Sequence, residues 1–193
     1  TAGTPSSRGM TVKWLLLLSM FAQSVILAGP IKKGQWSARK PVVKDGKAAD
    51  WEAAPDFLKW REGDKETDGF DGDVLTVSLT GPFAEGAWSQ HAGAIYALSK
   101  KAPAKQPVAV TFKARSLSGA KFLSVLRTWG GAKPWNSIQI TKEWKTYRVV
   151  LTSKFEIEII TFSLVPKKGR LQLYTKGSFE LADVECAFAK PDP

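Results

Sequence analysis

Cysteine occurs once in this chain, at Cys186, and histidine once, at His91. A lone cysteine excludes an internal disulfide framework. Its expected role is that of a small buried hydrophobe in the last strand. A lone histidine excludes a metal site built on several imidazoles. Acids are missing altogether from Gly86 to Lys142, where nine bases stand, whereas Asp45 to Glu85 holds eleven acids and four bases. A basic surface for a polyanion is one reading of that asymmetry. The other, preferred here, is that acidic and basic strands pair within one sheet and cancel. Beyond the N-terminal region no segment carries a sustained 3.6-residue apolar stripe, so a helical fold is excluded. No internal repeat is present. Gly-x-Ser-x-Gly, phosphate-loop and dinucleotide fingerprints are absent as well.

The single long apolar run is Trp14–Leu27, 14 residues preceded by Met10 and Lys13. A bilayer span takes about 20 residues, so the run has the length of a signal-peptide core. Small residues allow cleavage after Ser24 or after Ala28, the latter leaving about 165 residues. Residues 1–28 are therefore expected to be upstream residues and a signal-peptide helix. The mature protein is expected to be secreted or periplasmic, with no stable membrane insertion after processing. Export also argues against nucleic acid as a partner, since positive charge alone gives only salt-sensitive, unspecific binding.

What remains is rich in alternation. In Val108–Arg115, Val108, Val110, Phe112 and Ala114 share one face while Ala109, Thr111, Lys113 and Arg115 share the other. Period two over eight residues is a strand with one dry and one wet face. Similar strands are expected at Val74–Leu79, Ala94–Leu98, Phe122–Thr128, Ser137–Ile140, Thr146–Thr152, Ile157–Val165, Arg170–Thr175 and Ser178–Cys186, punctuated by glycine and proline. The expected fold is all-β: a two-sheet antiparallel β-sandwich of the jelly-roll kind over residues 51–190. Residues 29–50 read as a linker or a loosely packed first strand. The inner faces comprise Val108, Val110 and Phe112; Tyr147, Val149 and Leu151; Phe162 and Leu164; Leu171 and Leu173; and Phe179 and Leu181. The phase slips after Ala182, where Val184 is apolar on the opposite parity. That predicts a bulge.

Four sequence elements then occur in order. Gly86-Ala87-Trp88-Ser89-Gln90 is similar to a Trp-x-Gln element. Pro107-Val-Ala-Val-Thr-Phe-Lys-Ala-Arg115 is similar to a Tyr-x-x-Ser-Phe-x-Ala-Arg strand. Thr141-Lys-Glu-Trp-Lys-Thr-Tyr147 matches the Thr-x-x-Trp-x-x-Tyr opening of a late strand. Phe179-Glu-Leu-Ala-Asp-Val184 is similar to a final Ile-Asp-Asp-Val strand. Together they resemble the carbohydrate-binding modules of families four and nine, within the galactose-binding-like jelly rolls. The resemblance covers about half the chain, from Trp88 to Glu185, and implies a non-catalytic protein that binds a polysaccharide or oligosaccharide. It also makes Trp88 and Trp144 core residues. Members with a structural calcium draw acids from two places, which here read Lys44-Asp-Gly-Lys-Ala and Ala182. No cofactor and no metal is therefore expected.

Sugar rings have apolar faces edged by hydroxyls, so a binder needs flat aromatics and planar polar groups. Arg127-Thr-Trp129-Gly-Gly-Ala-Lys-Pro-Trp135-Asn136 supplies both within ten residues. Trp129 and Trp135 would form a platform, with Arg127 and Asn136 at its rim. Gln90, Gln172 and Tyr174 are further candidates, the last two outward of Leu171 and Leu173. Arg127 and Lys133 hint at an acidic glycan. Asp64, Glu66, Asp68, Asp71 and Asp73 read as a solvated acidic loop, with calcium as the alternative. Two alternatives stay open: a structural or adhesion β-sandwich without a sugar ligand, and a small glycan-cleaving enzyme using Glu156 and Glu158. Glu156-Ile-Glu158-Ile-Ile-Thr161 resembles the Glu-x-Asp-x-x-Glu strand of sandwich-fold glucanases, although Thr161 stands where the third acid belongs.

Overall fold

The computed structural model describes residues 29–31, 34–45, 47–80, 92–119, 121–127, 136–166 and 175–190. The signal-peptide reading falls on residues 1–28, outside the described residues. Among the described residues twelve strands follow one another: β1 (Gly29–Ile31), β2 (Gln35–Lys44), β3 (Lys47–Ala53), β4 (Leu58–Glu62), β5 (Asp73–Leu79), β6 (Gly93–Ala102), β7 (Val108–Ser116), β8 (Lys121–Arg127), β9 (Asn136–Ile140), β10 (Lys145–Leu151), β11 (Ile157–Val165) and β12 (Gly177–Phe188), with one 3-10 turn at Pro55–Phe57. They form two antiparallel six-stranded sheets. The first runs β10-β7-β12-β5-β4 with β1 also on β12, and the second runs β3-β2-β6-β11-β8-β9. No helix among the described residues is long and apolar enough to cross a membrane.

Alternation explains the layers. Val108, Val110 and Phe112 of β7 turn inward beside Phe179 and Leu181 of β12 and Val149 and Leu151 of β10. They meet Phe162 and Leu164 of β11 and Leu123 and Val125 of β8. Phe112 and Phe162, both fully buried, cross edge to face between the sheets with ring centroids 5.3 Å apart. Burying each such side chain is worth roughly 1.5–3 kcal/mol, so this pair anchors one sheet to the other. Tyr147 packs on the core but is only partly buried. Leu171 and Leu173 lie outside the described residues, as does the greater part of the strand expected at Arg170–Thr175.

The bulge expected near Ala182 is present. The β12–β7 register shifts between Ala182 and Glu185, and Asp183 takes a left-handed φ of 50°. The extra residue lets Phe179 and Leu181 before it, and Cys186 and Phe188 after it, share the core. Cys186 is buried, and burial pushes its thiol up to about 12.

Residues 29–50, for which the sequence leaves open a linker or a loosely packed first strand, carry β1, β2 and the start of β3, and β2 lies inside the second sheet, paired to β3 on one edge and β6 on the other. A strand flanked on both sides takes its stability from ladder hydrogen bonds as well as from side chains. The outer face of the second sheet is buried rather than wet. Ser137, Ser124 and Ser163 line up across β9, β8 and β11, each nearly inaccessible, and Thr161 and Arg39 share that face. The Ser163 hydroxyl has no hydrogen-bond partner among the described residues.

Candidate functional site

β4 is the edge strand of the first sheet, so Trp60, though on the inward side of its ladder, remains 53% exposed. β2 brings Trp36 to it from the other sheet, ring centroids 6.5 Å apart at 76°. Trp36 is held from behind by Tyr96 at 4.9 Å and Phe162 at 5.6 Å. The Gly34 N–H donates to Tyr96 Oη at 2.7 Å, and a Cβ at Gly34 would meet the Ala97 carbonyl oxygen at 2.0 Å. Only glycine lets β2 enter so close to β6. Trp36 is thus a fixed wall and Trp60 a half-open one.

These indoles border a cleft of about 630 Å³. Its origin lies in strand pairing. β12 pairs β5 only as far as Ala182 and pairs β1 only from Cys186, so Asp183–Glu185 stand between two partners on that edge. The cleft follows this gap. Leu75, Leu181, Val184 and Cys186 contribute apolar lining, and Asp73, Asp183, Glu185, Thr111 and Arg148 contribute polar groups. Asp183 is ion-paired to Lys113 at 2.8 Å. An aromatic and aliphatic cleft of this volume with a few polar groups has the form of a small-molecule site, for which volumes of about 300–1,000 Å³ are usual.

A second cluster occupies the outer face of the first sheet. Arg61 donates from Nε and Nη2 to the two Glu180 oxygens at 2.8 and 3.0 Å, and from Nη1 to Asp68 Oδ2 at 2.6 Å. Arg115 donates from Nε to Glu180 at 2.6 Å and lies 3.0 Å from Asp68 through Nη2. Thr76 and Trp144 add hydrogen bonds to Glu180 and Asp68 at 3.1 and 3.0 Å. Hydrogen bonding from Arg61 outweighs burial and holds the Asp68 carboxyl well below the usual range. For Glu180, burial alone would raise the pKa, but hydrogen bonds from Arg61 and Arg115 bring it below its ordinary value. Asp68 is therefore no member of a solvated loop: it is 6% exposed and clamps residues 62–73 onto the sheet. No group of three or more His, Cys, Asp or Glu side chains placed to hold a metal ion is found among the described residues. Trp144, expected in the core, lies instead on this outer face, with the Arg115 guanidinium 4.8 Å from its ring. Basic β7 meets the acidic segment through Arg115 and Asp68, while Lys113 and Arg115 also pair with Asp183 and Glu180 of β12.

Of the expected sugar contacts, Arg127 ends β8 opposite Ile160 and Asn136 begins β9 opposite Val125, so strand pairing fixes the two ends of their connection. Their side chains lie outside the described residues, as do Trp129, Trp135, Gln90, Gln172, Tyr174 and Trp88. Sequence reasoning missed Trp36 and Trp60. Their alternation with polar neighbours was a signal for strands, but nothing local announced that the two would meet. The catalytic alternative finds Glu158 exposed and ion-paired with Lys101, away from the cleft lining.

No family model matches the sequence, and no curated protein does. Solved structures similar to it include carbohydrate-binding modules. A family 4 module shares 14% identity, with 69% of this chain and 80% of that one covered and a TM-score of 0.37. The second N-terminal cellulose-binding domain of β-1,4-glucanase C from Cellulomonas fimi shares 16%, with 86% and 95% covered and a TM-score of 0.43. The CBM22-1 xylan-binding domain of Xyn10C from Paenibacillus barcinonensis shares 12%, with 86% and 96% covered and a TM-score of 0.43.

Proposed function

We propose that this protein is an exported, non-catalytic binder of polysaccharide. The observation that carries the reading is the pair Trp36 and Trp60 at the mouth of a cleft rimmed by carboxylates and a guanidinium. An indole stacks on the apolar face of a sugar ring, while carboxylate and guanidinium groups hydrogen-bond its hydroxyls. Trp60 supplies the accessible face, and Trp36 keeps it from collapsing inward. Trp129 and Trp135, with Arg127, Asn136, Gln90, Gln172 and Tyr174, form the second proposed contact set, on the strength of the sequence pattern. Binding, rather than bond cleavage, is the proposed activity, because Glu158 is engaged by Lys101. Export rests on the Met10–Ala28 pattern, which stops one residue before β1.

Affinity electrophoresis against cellulose, xylan, β-1,3-glucan and chitosan-type polymers tests the reading. Trp60→Ala is expected to weaken retention about tenfold or more while leaving the melting temperature nearly unchanged, because Trp60 is half exposed. The Trp129→Ala, Trp135→Ala pair reports separately on the loop. A protein retained by no polymer, or one whose retention survives all three substitutions, overturns the proposal.

A further inference from the structure

One end of the sandwich combines an exposed ring with lysines. Residues 103–107 join Ala102 of β6 to Val108 of β7, and Val108 pairs Leu151 of β10 and Phe188 of β12. Phe188 in turn pairs Gly29 of β1, and Ile157 of β11 pairs Ala102. All of these strand ends therefore lie together. Lys105 donates its backbone N–H to the Ser153 carbonyl at 2.7 Å, and Phe155 donates its own to the Ser153 hydroxyl at 3.0 Å. The buried Ser153 thus ties two loops and fixes the turn that presents Phe155. Phe155 is 58% exposed, the most open of the large apolar side chains among the described residues. Lys105 holds a left-handed φ of 66°, a conformation that favours glycine or asparagine, so the turn itself gives no reason for lysine there.

Positive charge gathers around this ring. Lys100, Lys101, Lys105, Lys154 and Lys190 stand exposed on these loops and strand ends, against Glu156 and Glu158. Glu158 is taken by Lys101. Counting Glu156 in full, and Asp192 from the sequence beyond Lys190, still leaves cations in excess. The covalent chain adds a direction. The apolar run Trp14–Leu27 ends two residues before Gly29, so the chain enters the sandwich from that run at this end. A soluble polyanion would satisfy the lysines and leave Phe155 in water. The headgroup region of a bilayer takes both, a ring at the acyl boundary and ammonium groups among the phosphates. We propose that this end of the sandwich docks on an anionic lipid surface through Phe155, Lys105 and Lys154. One ring and a few lysines give reversible adsorption, not insertion. The inference does not rest on the saccharide reading.

Sedimentation of the full chain with sucrose-loaded vesicles tests the surface, comparing phosphatidylcholine alone with an equal mixture of phosphatidylcholine and phosphatidylglycerol. Binding to the anionic vesicles is expected to be about tenfold tighter or more, an advantage that shrinks as salt rises. Lys105→Gln combined with Lys154→Gln should remove about tenfold of that affinity, and Phe155→Ser should weaken it as well. All three side chains are exposed, and a thermal melt checks that each variant is folded. A dye reports the geometry directly. An environment-sensitive fluorophore on Phe155→Cys, with the buried Cys186 unlabelled, should shift its emission to the blue on anionic vesicles. The same dye on Leu117→Cys, exposed just beyond the other end of β7, should not respond. Equal binding to neutral and anionic vesicles, or binding unmoved by the lysine and Phe155 substitutions, assigns attachment to Trp14–Leu27 alone and overturns the proposal. Binding to soluble polygalacturonate as tight as to vesicles, and indifferent to Phe155→Ser, makes the patch a polyanion site and overturns it too. Saccharide binding is read through Trp60→Ala, which should leave vesicle binding unchanged, so the two proposals fail separately.

Discussion

Glu180 is 3% exposed and faces two guanidinium groups. Removing this carboxylate leaves two partly buried guanidinium groups to share Asp68 alone. Glu180→Ala is expected to destabilise the protein by about 1–3 kcal/mol in urea or guanidinium unfolding. The same residues dictate a pH dependence. Asp68 and Glu180 both have folded pKa values below their unfolded ones. Their contribution is complete above the unfolded values, at about 4, and is lost as pH falls through the depressed folded values. Stability measured by denaturation should therefore fall as pH drops below about 4, and in Asp68→Asn, Glu180→Gln the slope should be visibly flatter. Nothing in the acidic run from Asp64 to Asp73 sets Asp68 apart. Its role comes from Arg61 and Arg115, which reach it from other strands.

Among the elements, β6 begins under a geometric constraint. Gly93 has a φ of +137°, and a Cβ there would come within 2.2 Å of the Phe162 carbonyl oxygen on β11. Gly93→Ala must displace the β6–β11 ladder and adopt a strained backbone at once. It is expected to cost at least about 2 kcal/mol, read as a lowered unfolding midpoint in denaturant. The β12 bulge shows the opposite situation, an irregularity legible in advance. A change of hydrophobic parity within one strand can be accommodated only by an extra residue, and the register shift falls where the parity changes. What the parity could not convey is that this bulge, by falling between the partners β5 and β1, opens a cleft.

For the whole molecule, the pairings are long in sequence: β1 closes on β12, and β2 lies against β6. A ligand held between Trp36 of one sheet and Trp60 of the other touches both layers and binds only when they are assembled. A bound saccharide at about a hundred times its Kd should raise the global stability by about 2.7 kcal/mol, a rise in Tm of roughly 5–10 °C for a chain of this size. Scanning calorimetry with and without the saccharide checks this, and Trp60→Ala should abolish the shift.

The strands from β5 onward, with most of their inner faces and the bulge in β12, followed from the sequence alone, because period-two alternation is a property of residues two apart and needs no partner to be read. Only the folded chain decided that Trp36 meets Trp60, that Asp68 meets Arg115, and that the hydroxyl-bearing face of the second sheet is buried. Those contacts join different strands, often of different sheets. They depend on strand order and register, which alternating hydrophobicity leaves undetermined.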